Sequence, residues 1–238
     1  DFGEVLTSSD ILLNKFRLVG LMKKGKLEKI SAKSEFSKNK FLDISIKKDD
    51  ITGNSILEIY SDEAKPLVNS YEFFEGLEGG NLFYLSNSSK EKSIGNLKIE
   101  NFKINQAPGF AKLLSLADLK GLTDALKGEG ISFDKLSIQY ESKSGWMDIN
   151  EIFLIGPSIS ILIEGYYDKR KDILSLRGTL VPAKTLNTLV SKIPVIGDIL
   201  IGKKIGDGLF GVSFKIKGPS DNLKTSVNPV KTLTPRFI

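Results

Sequence analysis

The chain has 238 residues and a mass of 26.2 kDa, with 40% hydrophobic and 26% charged residues, the composition of an ordered protein with room for a sizeable core. It has no cysteine and no histidine, which excludes disulfides, thiolate nucleophiles, Cys- or His-ligated metals and histidine-based triads, and leaves paired carboxylates, a Ser–Lys pair or an oxygen-ligand metal site. The net charge of +5 and pI near 9.1 lean weakly toward anionic partners, and a base-biased genome encodes the same richness in Lys, Ile, Asn and Ser.

In chain order, residues 1–60 read as strands. Lys23-Lys24-Gly25-Lys26 and Ile51-Thr52-Gly53-Asn54 supply turns between apolar runs. Leu42, Ile44 and Ile46 alternate with Asp43 and Ser45, and Leu57 and Ile59 alternate with Glu58 and Tyr60. Period two with one polar face predicts strands buried on one side, usually in antiparallel sheets.

Residues 63–75 predict a short helix entered through Pro66. Gly76-Leu77-Glu78-Gly79-Gly80 then reads as a helix C-cap and turn before a strand around Leu82–Leu85. Residues 109–127 carry Phe110, Leu113, Leu114, Leu116, Ala117, Leu122, Ala125 and Leu126 in a helical pattern, with Gly121 expected to bend or divide the helix.

The alternation resumes at Leu136, Ile138 and Tyr140, and Lys143-Ser144-Gly145 turns the chain. Ile159, Ile161 and Ile163 share one parity, and Leu174, Leu176 and Leu180 share that of a second run, on the two arms of a hairpin, Ile159–Tyr167 out and Ile173–Leu180 back, closed by Asp168–Asp172. Gly165 and Gly178 predict bulges or strong bending. Residues 182–204 predict a helix from near Pro182, broken at Pro194, with Ile196, Ile199 and Leu200 on an apolar face. Phe210, Val212, Phe214 and Ile216 form a last clear strand, and the tail from Asn228 reads as irregular.

The fold class is therefore mainly β: a long, twisted antiparallel sheet with a few capping amphipathic helices. These helices are too short to cover some ten strands, so the sheet closes as a barrel, pairs as a sandwich, or curls into a groove whose apolar face holds something else.

Little in the sequence suggests catalysis. Asp49-Asp50 and Asp62-Glu63 lie in or beside turns, and Asp148 and Glu151 flank Ile149 in a strand-like stretch; solvated loop charge explains them. Gly202–Gly208 lacks the Gly-Lys-Ser/Thr of a phosphate loop and runs from helix into strand, the wrong order. Lysines are spread over turns and polar strand faces, so no nucleic-acid partner is expected. No apolar run reaches the roughly 18 residues of a membrane helix. The start at Asp1-Phe2-Gly3 carries no signal-peptide pattern, so a fragment with targeting signals upstream is expected. The 109–127 helix and the stretch 186–201 are apolar enough to dock on a membrane surface or to plug and cap a groove.

An ordered series of short motifs adds a resemblance. Asp62-Glu63-Ala64-Lys65-Pro66-Leu67 and Leu77-Glu78-Gly79-Gly80-Asn81-Leu82 come first. The leucine-rich helix leading to Gly130-Ile131-Ser132-Phe133 follows, then Leu154-Ile155-Gly156-Pro157 and Glu164-Gly165-Tyr166-Tyr167-Asp168. After these come Gly178–Pro182, Ile193-Pro194-Val195-Ile196-Gly197, Gly218-Pro219, Val227-Asn228-Pro229 and Leu233-Thr234-Pro235-Arg236-Phe237. Over residues 60–238 this series resembles the AsmA-like C-terminal region, a YhdP- and TamB-related group akin to bridge-like lipid-transfer proteins. Lys65 and Arg236 stand where that family usually has glycine.

The resemblance implies a Gram-negative envelope protein, anchored in the inner membrane by a segment N-terminal to this chain, with a long periplasmic β-groove (β-taco-like). On it, residues 1–60 are preceding groove strands and residues 61–238 the AsmA-like region, continuous with the groove. The implied function is a non-catalytic conduit moving phospholipid between inner and outer membranes, with no cofactor and with acyl chains as ligand. Ile159, Ile161, Ile163, Leu174, Leu176, Phe210, Val212, Phe214 and Ile216 would line the groove. Phe110, Leu113, Leu114, Leu116, Ile196, Ile199 and Leu200 would serve membrane or capping helices. The alternative is a periplasmic scaffold or assembly factor for outer-membrane or other envelope proteins.

Overall fold

The structure, a computed structural model, describes residues 1–7, 11–23, 25–37, 39–68, 74–182 and 211–228. Thirteen strands form one sheet. They are β1 (Phe2–Leu6), β2 (Leu12–Lys23), β3 (Lys26–Ser37), β4 (Lys40–Lys48), β5 (Ser55–Ser61), β6 (Leu77–Ser88), β7 (Lys92–Ile104), β8 (Ile131–Lys143), β9 (Trp146–Ile155), β10 (Ile159–Asp168), β11 (Ile173–Pro182), β12 (Val212–Gly218) and β13 (Lys224–Asn228). Three helices are described: α1 (Lys65–Val68), α2 (Pro108–Leu116) and α3 (Lys120–Lys127). Each strand pairs antiparallel with its neighbour in sequence, from β1 to β13, and the two end strands do not pair. The fold is mainly β and the sheet is not closed.

Meander order places the connections on two rims. The turns β2/β3, β4/β5, β6/β7, β8/β9, β10/β11 and β12/β13 share one rim, which is made of tight reversals. The opposite rim carries α1 after β5 and α2–α3 after β7.

The sheet curls. Helix α2 leaves β7 and approaches β13, six strand positions away. In a flat sheet that span is roughly 28 Å, whereas the nine residues of α2 reach about 14 Å. One buried cluster accordingly joins Leu82, Ile99, Leu136, Ile161, Leu180 and Phe214 with Leu114 and Leu126, and Val227 packs against it.

The 109–127 helix is divided, but not at Gly121, which lies inside α3. The break falls at Asp118, in the left-handed conformation (φ 57°). Leu119 N–H donates to the Leu114 carbonyl (3.0 Å) and Asp118 N–H to that of Ser115 (3.1 Å). This is the Schellman closure, and Leu119 packs against the cluster that contains Leu114.

Four other expectations need adjustment. Helix α1 covers residues 65–68 of the expected 63–75 helix, and residues 69–73 lie outside the described part. Gly76 is a turn, but Gly79 and Gly80 lie inside β6. Pro182 itself ends β11, opposite Ile159. The rest of the 182–204 helix expectation, including Ile196, Ile199 and Leu200, lies outside the described residues, as does Phe210.

The bulge expected at Gly165 sits on the adjoining strand. Asn150 is the extra residue of β9 between the pairs Gln139–Glu151 and Tyr140–Ile149, and the β9–β10 register shifts at the same place, between Ile163 and Gly165. Gly178 meets a different need, because the ring of Phe214 lies where its Cβ would be.

Candidate functional site

The inner face of the curl is built row by row, because residues paired across strands point the same way. The row nearest the helices runs Leu42, Ser61, Leu82, Ile99, Leu136, Leu154, Ile161, Leu180, Val212. The second runs Ala32, Ile44, Ile59, Tyr84, Leu97, Ile138, Ile152, Ile163, Gly178, Phe214, Val227. The third runs Ile30, Ile46, Leu57, Ser86, Gly95, Tyr140, Ile149, Gly165, Leu176, Ile216. Both middle rows are largely Leu and Ile, interrupted by the Tyr84–Tyr140 hydroxyl bond of 2.7 Å that passes beside Gly95.

The fourth row, beside the hairpin rim, changes character: Lys48, Ser55, Ser88, Ser93, Ser142, Met147, Tyr167, Leu174. The Ser88 and Ser93 hydroxyls bond each other (2.8 Å), and Lys169 Nζ donates to Ser142 Oγ (3.2 Å). The rim itself is charged, with Lys90, Glu91, Lys92, Lys143, Lys169, Arg170 and Lys171 in or beside its turns. From the middle rows outward, the surface thus passes from hydrocarbon to hydroxyl to charge.

All the described groove candidates lie on this inner face. Ile159, Ile161, Ile163, Leu176 and Phe214 are buried in the cluster; Leu174, Val212 and Ile216 are half-buried. The paired rows bring Ile161 to Val212 through Leu180, and Ile163 to Phe214 through Gly178. Of the helix candidates, Leu113 and Leu114 are buried in the cluster, Phe110 packs against it with its ring 6.2 Å from that of Phe133, and Leu116 is exposed. The 109–127 segment thus caps the packed end of the curl. Half-buried positions of the inner face also lie on other strands, at Ile30, Ile44, Ile46, Leu57 and Ile59, the last packed against the cluster. The alternation at residues 42–46 and 57–59 was the signal for these positions.

The carboxylates that stood out in the sequence are engaged locally. Asp49 accepts from the N–H of Ile51 (3.0 Å) and of Thr52 (2.7 Å), and its pKa lies below the ordinary value chiefly through the Thr52 bonds. Asp62 accepts from Tyr60 Oη (2.8 Å) and Phe41 N–H (3.0 Å), which hold it low and push Tyr60 up. Asp148 accepts from Trp146 Nε1 (2.7 Å). No carboxylate pair arises from them, and among the described residues no cluster of three or more acidic side chains could hold a metal.

A furrow of about 920 Å³ lies on the outer face, lined mainly by Glu141, Lys143, Asp148, Glu164, Tyr166, Arg177, Lys215 and Lys217. Its charges partly neutralise each other. Arg177 Nε pairs with Glu164 (2.6 Å), and Glu141 bridges Lys143 (2.7 Å) and Lys92 (3.3 Å), which lowers its pKa.

Comparison of the chain with family models, curated proteins and solved structures gives no match. The AsmA-like motif series therefore stands on this chain's residues alone. Among the described residues no helix is long and apolar enough to cross a membrane.

Proposed function

We propose that this chain is a segment of a non-catalytic hydrophobic conduit for phospholipid in a Gram-negative envelope, working in the periplasm as part of a protein anchored in the inner membrane. The observation that carries the reading is the graded inner face. Its Leu/Ile rows suit acyl chains, its serine row suits the glycerol ester level, and its charged rim suits head groups. Each methylene taken from water onto the middle rows contributes about 0.8 kcal/mol, and the lining offers few groups able to select one acyl chain over another. Acyl chains would meet Ile30, Ile44, Ile46, Leu57 and Ile59, since Ile161 and Phe214 are already packed among protein side chains.

Photo-crosslinking residues at Ile46 and Ile59, with mass spectrometry of the purified protein, test this. Lipid adducts are expected there and not at the outward Ser45 and Glu58. Equal adducts on both faces, or none on the inner one, overturn the reading. A folded Ile46→Asp/Ile59→Asp variant is expected to stop transfer. Placing charge at Ile161 or Phe214 would instead unfold the packed cluster.

A second reading is a scaffold that adds a strand from another envelope protein at a sheet edge; among the described residues β13 pairs only with β12. Activity that survives the folded block variant and fails when proline is placed on an edge strand would select it.

A further inference from the structure

The outer-face furrow of about 920 Å³ lies on the opposite side of the sheet from the proposed conduit. It sits where two register shifts meet, that of β8–β9 between Gln139 and Tyr140 and that of β9–β10 between Ile163 and Gly165. Every residue lining it belongs to the described stretches. Cross-strand pairing sets its walls. One outward row runs Glu141, Asp148, Tyr166, Ser175, Lys217, Lys224, and the next runs Glu164, Arg177, Lys215, Ser226. In both rows the acids stand on β8–β10 and the bases on β11–β13.

The two walls differ in what they leave unsatisfied. Asp148 Oδ1 accepts from Trp146 Nε1 and Glu164 Oε1 from Arg177 Nε, so among the described residues Asp148 Oδ2 and Glu164 Oε2 keep free lone pairs. Lys215 and Lys217 are exposed and have no ion-pair partner among the described residues. Lys217 also stands directly opposite Lys224 on β13, a like-charge pair that weakens the ladder. Between the walls Tyr166 is half-buried, its ring stacked on that of Trp146 at 4.6 Å.

Two unpaired lysines at alternate positions of one strand suit a group with several anionic oxygens, and phosphate is such a group. The furrow has room for much more than phosphate, since pockets of about 300–1,000 Å³ take whole small organic molecules. Free carboxylate oxygens accept only from donors. Each acid already has a cation close by, Lys143 near Asp148 and Arg177 on Glu164. A neutral hydroxyl therefore fits there better than an ammonium, and the Tyr166 ring offers an apolar wall to the carbon skeleton between. We infer that the furrow binds a phosphorylated sugar, its phosphate on Lys215 and Lys217 and its hydroxyls on Asp148 and Glu164. Ser175, paired with Lys217 across β11–β12, adds a hydroxyl at the phosphate end. This binding is independent of whether lipid occupies the inner face of the sheet.

Trp146 is the only tryptophan of the chain, and both its partners, Tyr166 and Asp148, line the furrow, so its emission reports on this site. Glucose 6-phosphate added to the whole chain is expected to change that emission to saturation, at a concentration at least about tenfold below that needed with inorganic phosphate, because hydroxyl bonds add to the phosphate contact. Ethanolamine phosphate is expected to gain no such advantage. Lys215→Glu/Lys217→Glu is expected to weaken glucose 6-phosphate by at least about tenfold. Circular dichroism and the thermal midpoint should hold in that variant, because both side chains are exposed and the Lys217–Lys224 repulsion is gone. Glu164→Ala is expected to bring glucose 6-phosphate toward the affinity of inorganic phosphate without weakening phosphate itself, since it removes a hydroxyl acceptor and frees Arg177. Phosphatidylcholine vesicles carrying phosphatidylinositol 4-phosphate separate the two sources of the group: flotation that glucose 6-phosphate competes away marks a head group, and its absence marks a soluble compound. Glucose 6-phosphate that binds no better than inorganic phosphate or ethanolamine phosphate overturns the assignment. So does a folded Lys215→Glu/Lys217→Glu variant that binds as the parent does.

Discussion

The inner face carries the same alternation at β3–β5 as at β8–β12, yet the two regions end in different states. Ile99, Leu136, Ile161 and Leu180 are buried in one cluster with Leu114 of α2 and Leu126 of α3, whereas Ile44, Ile46 and Leu57 on the same face stay half-buried outside it. The difference does not lie in the strands. It arises from the long β7–β8 connection, whose two helices fold back over the curl, and from the near approach of β13 to α2. A period-two pattern selects which side of a strand is apolar; whether that side becomes core or surface depends on what the distant connections lay over it.

The largest expected contrast is in stability. Phe133 is almost fully buried, stacked on Phe102 at 5.5 Å and tilted against Phe110 at 6.2 Å. Phe133→Ala is expected to cost about 3–5 kcal/mol, read as a fall in the urea midpoint at constant slope. Met22→Ala at the open end is expected to stay within about 0.5 kcal/mol of the parent. A comparable loss at Met22 would show that the N-terminal strands are packed as the capped end is.

A smaller contrast separates two glycines of nearly equal backbone angle. Gly76 (φ +75°) lies against the carbonyl of Asn105, whose N–H donates to the Gly76 oxygen at 2.8 Å, so a methyl group there meets backbone that cannot yield. Gly53 (φ +70°) has open space around its missing Cβ. Gly53→Ala is expected to cost about 1 kcal/mol for the left-handed angle alone. Gly76→Ala adds the clash and is expected to cost roughly 1–3 kcal/mol more. Equal costs would mean that the joint between the α1 segment and β7 is soft.

These regions also differ in how far residue patterns reveal them. The strands at 42–46, 57–60, 136–140 and 159–180 follow from alternation, and the turns at 23–26, 51–54, 143–145 and 168–172 follow from their Gly, Asn and charged residues. The strand β7 was hidden, because Gly95, Asn96 and Asn101 interrupt its pattern. Asn101 is left-handed (φ 56°), and Ile99 and Phe102, three positions apart, are both buried. No period-two template accepts that spacing. Gly121 looked like the helix breaker by residue type, but Asp118 took the left-handed position because Leu119 could then pack into the core. The open stretch of the inner face was legible as pattern and illegible as a site, because exposure depends on tertiary cover that local sequence does not encode. The fourfold serine margin was missed for a similar reason, since Ser55, Ser88, Ser93 and Ser142 come together only through strand register.

The smallest contrast concerns two turns of the hairpin rim. The β4/β5 turn is tied to β6 by a bond between neutral groups, Asn54 Nδ2 donating to Asn87 Oδ1 (2.8 Å), whereas the β10/β11 turn is fastened to the next one by the titratable Asp172. Its carboxylate accepts from Tyr167 Oη (2.9 Å) and from the N–H (3.2 Å) and hydroxyl (3.0 Å) of Ser220. The Tyr167 bond, then those of Ser220, lower the pKa of Asp172 from 3.8, and the same pairing with Asp172 raises that of Tyr167 from 10.0. A carboxylate with a depressed folded value stabilises above its unfolded pKa and loses that contribution as pH falls through the folded one. The phenol, raised when folded, contributes below its unfolded pKa and loses its share as pH rises through the folded one. The link between the two turns is thus expected to hold across neutral pH, to loosen below pH 3.8 and to loosen again above pH 10. Amide hydrogen exchange at Ser220, compared between the parent and Asp172→Asn, reads this directly. The acid-side fall in protection, relative to the intrinsic rate at each pH, should be present in the parent and absent in the variant, and an identical acid response in both would place the tether elsewhere on the rim.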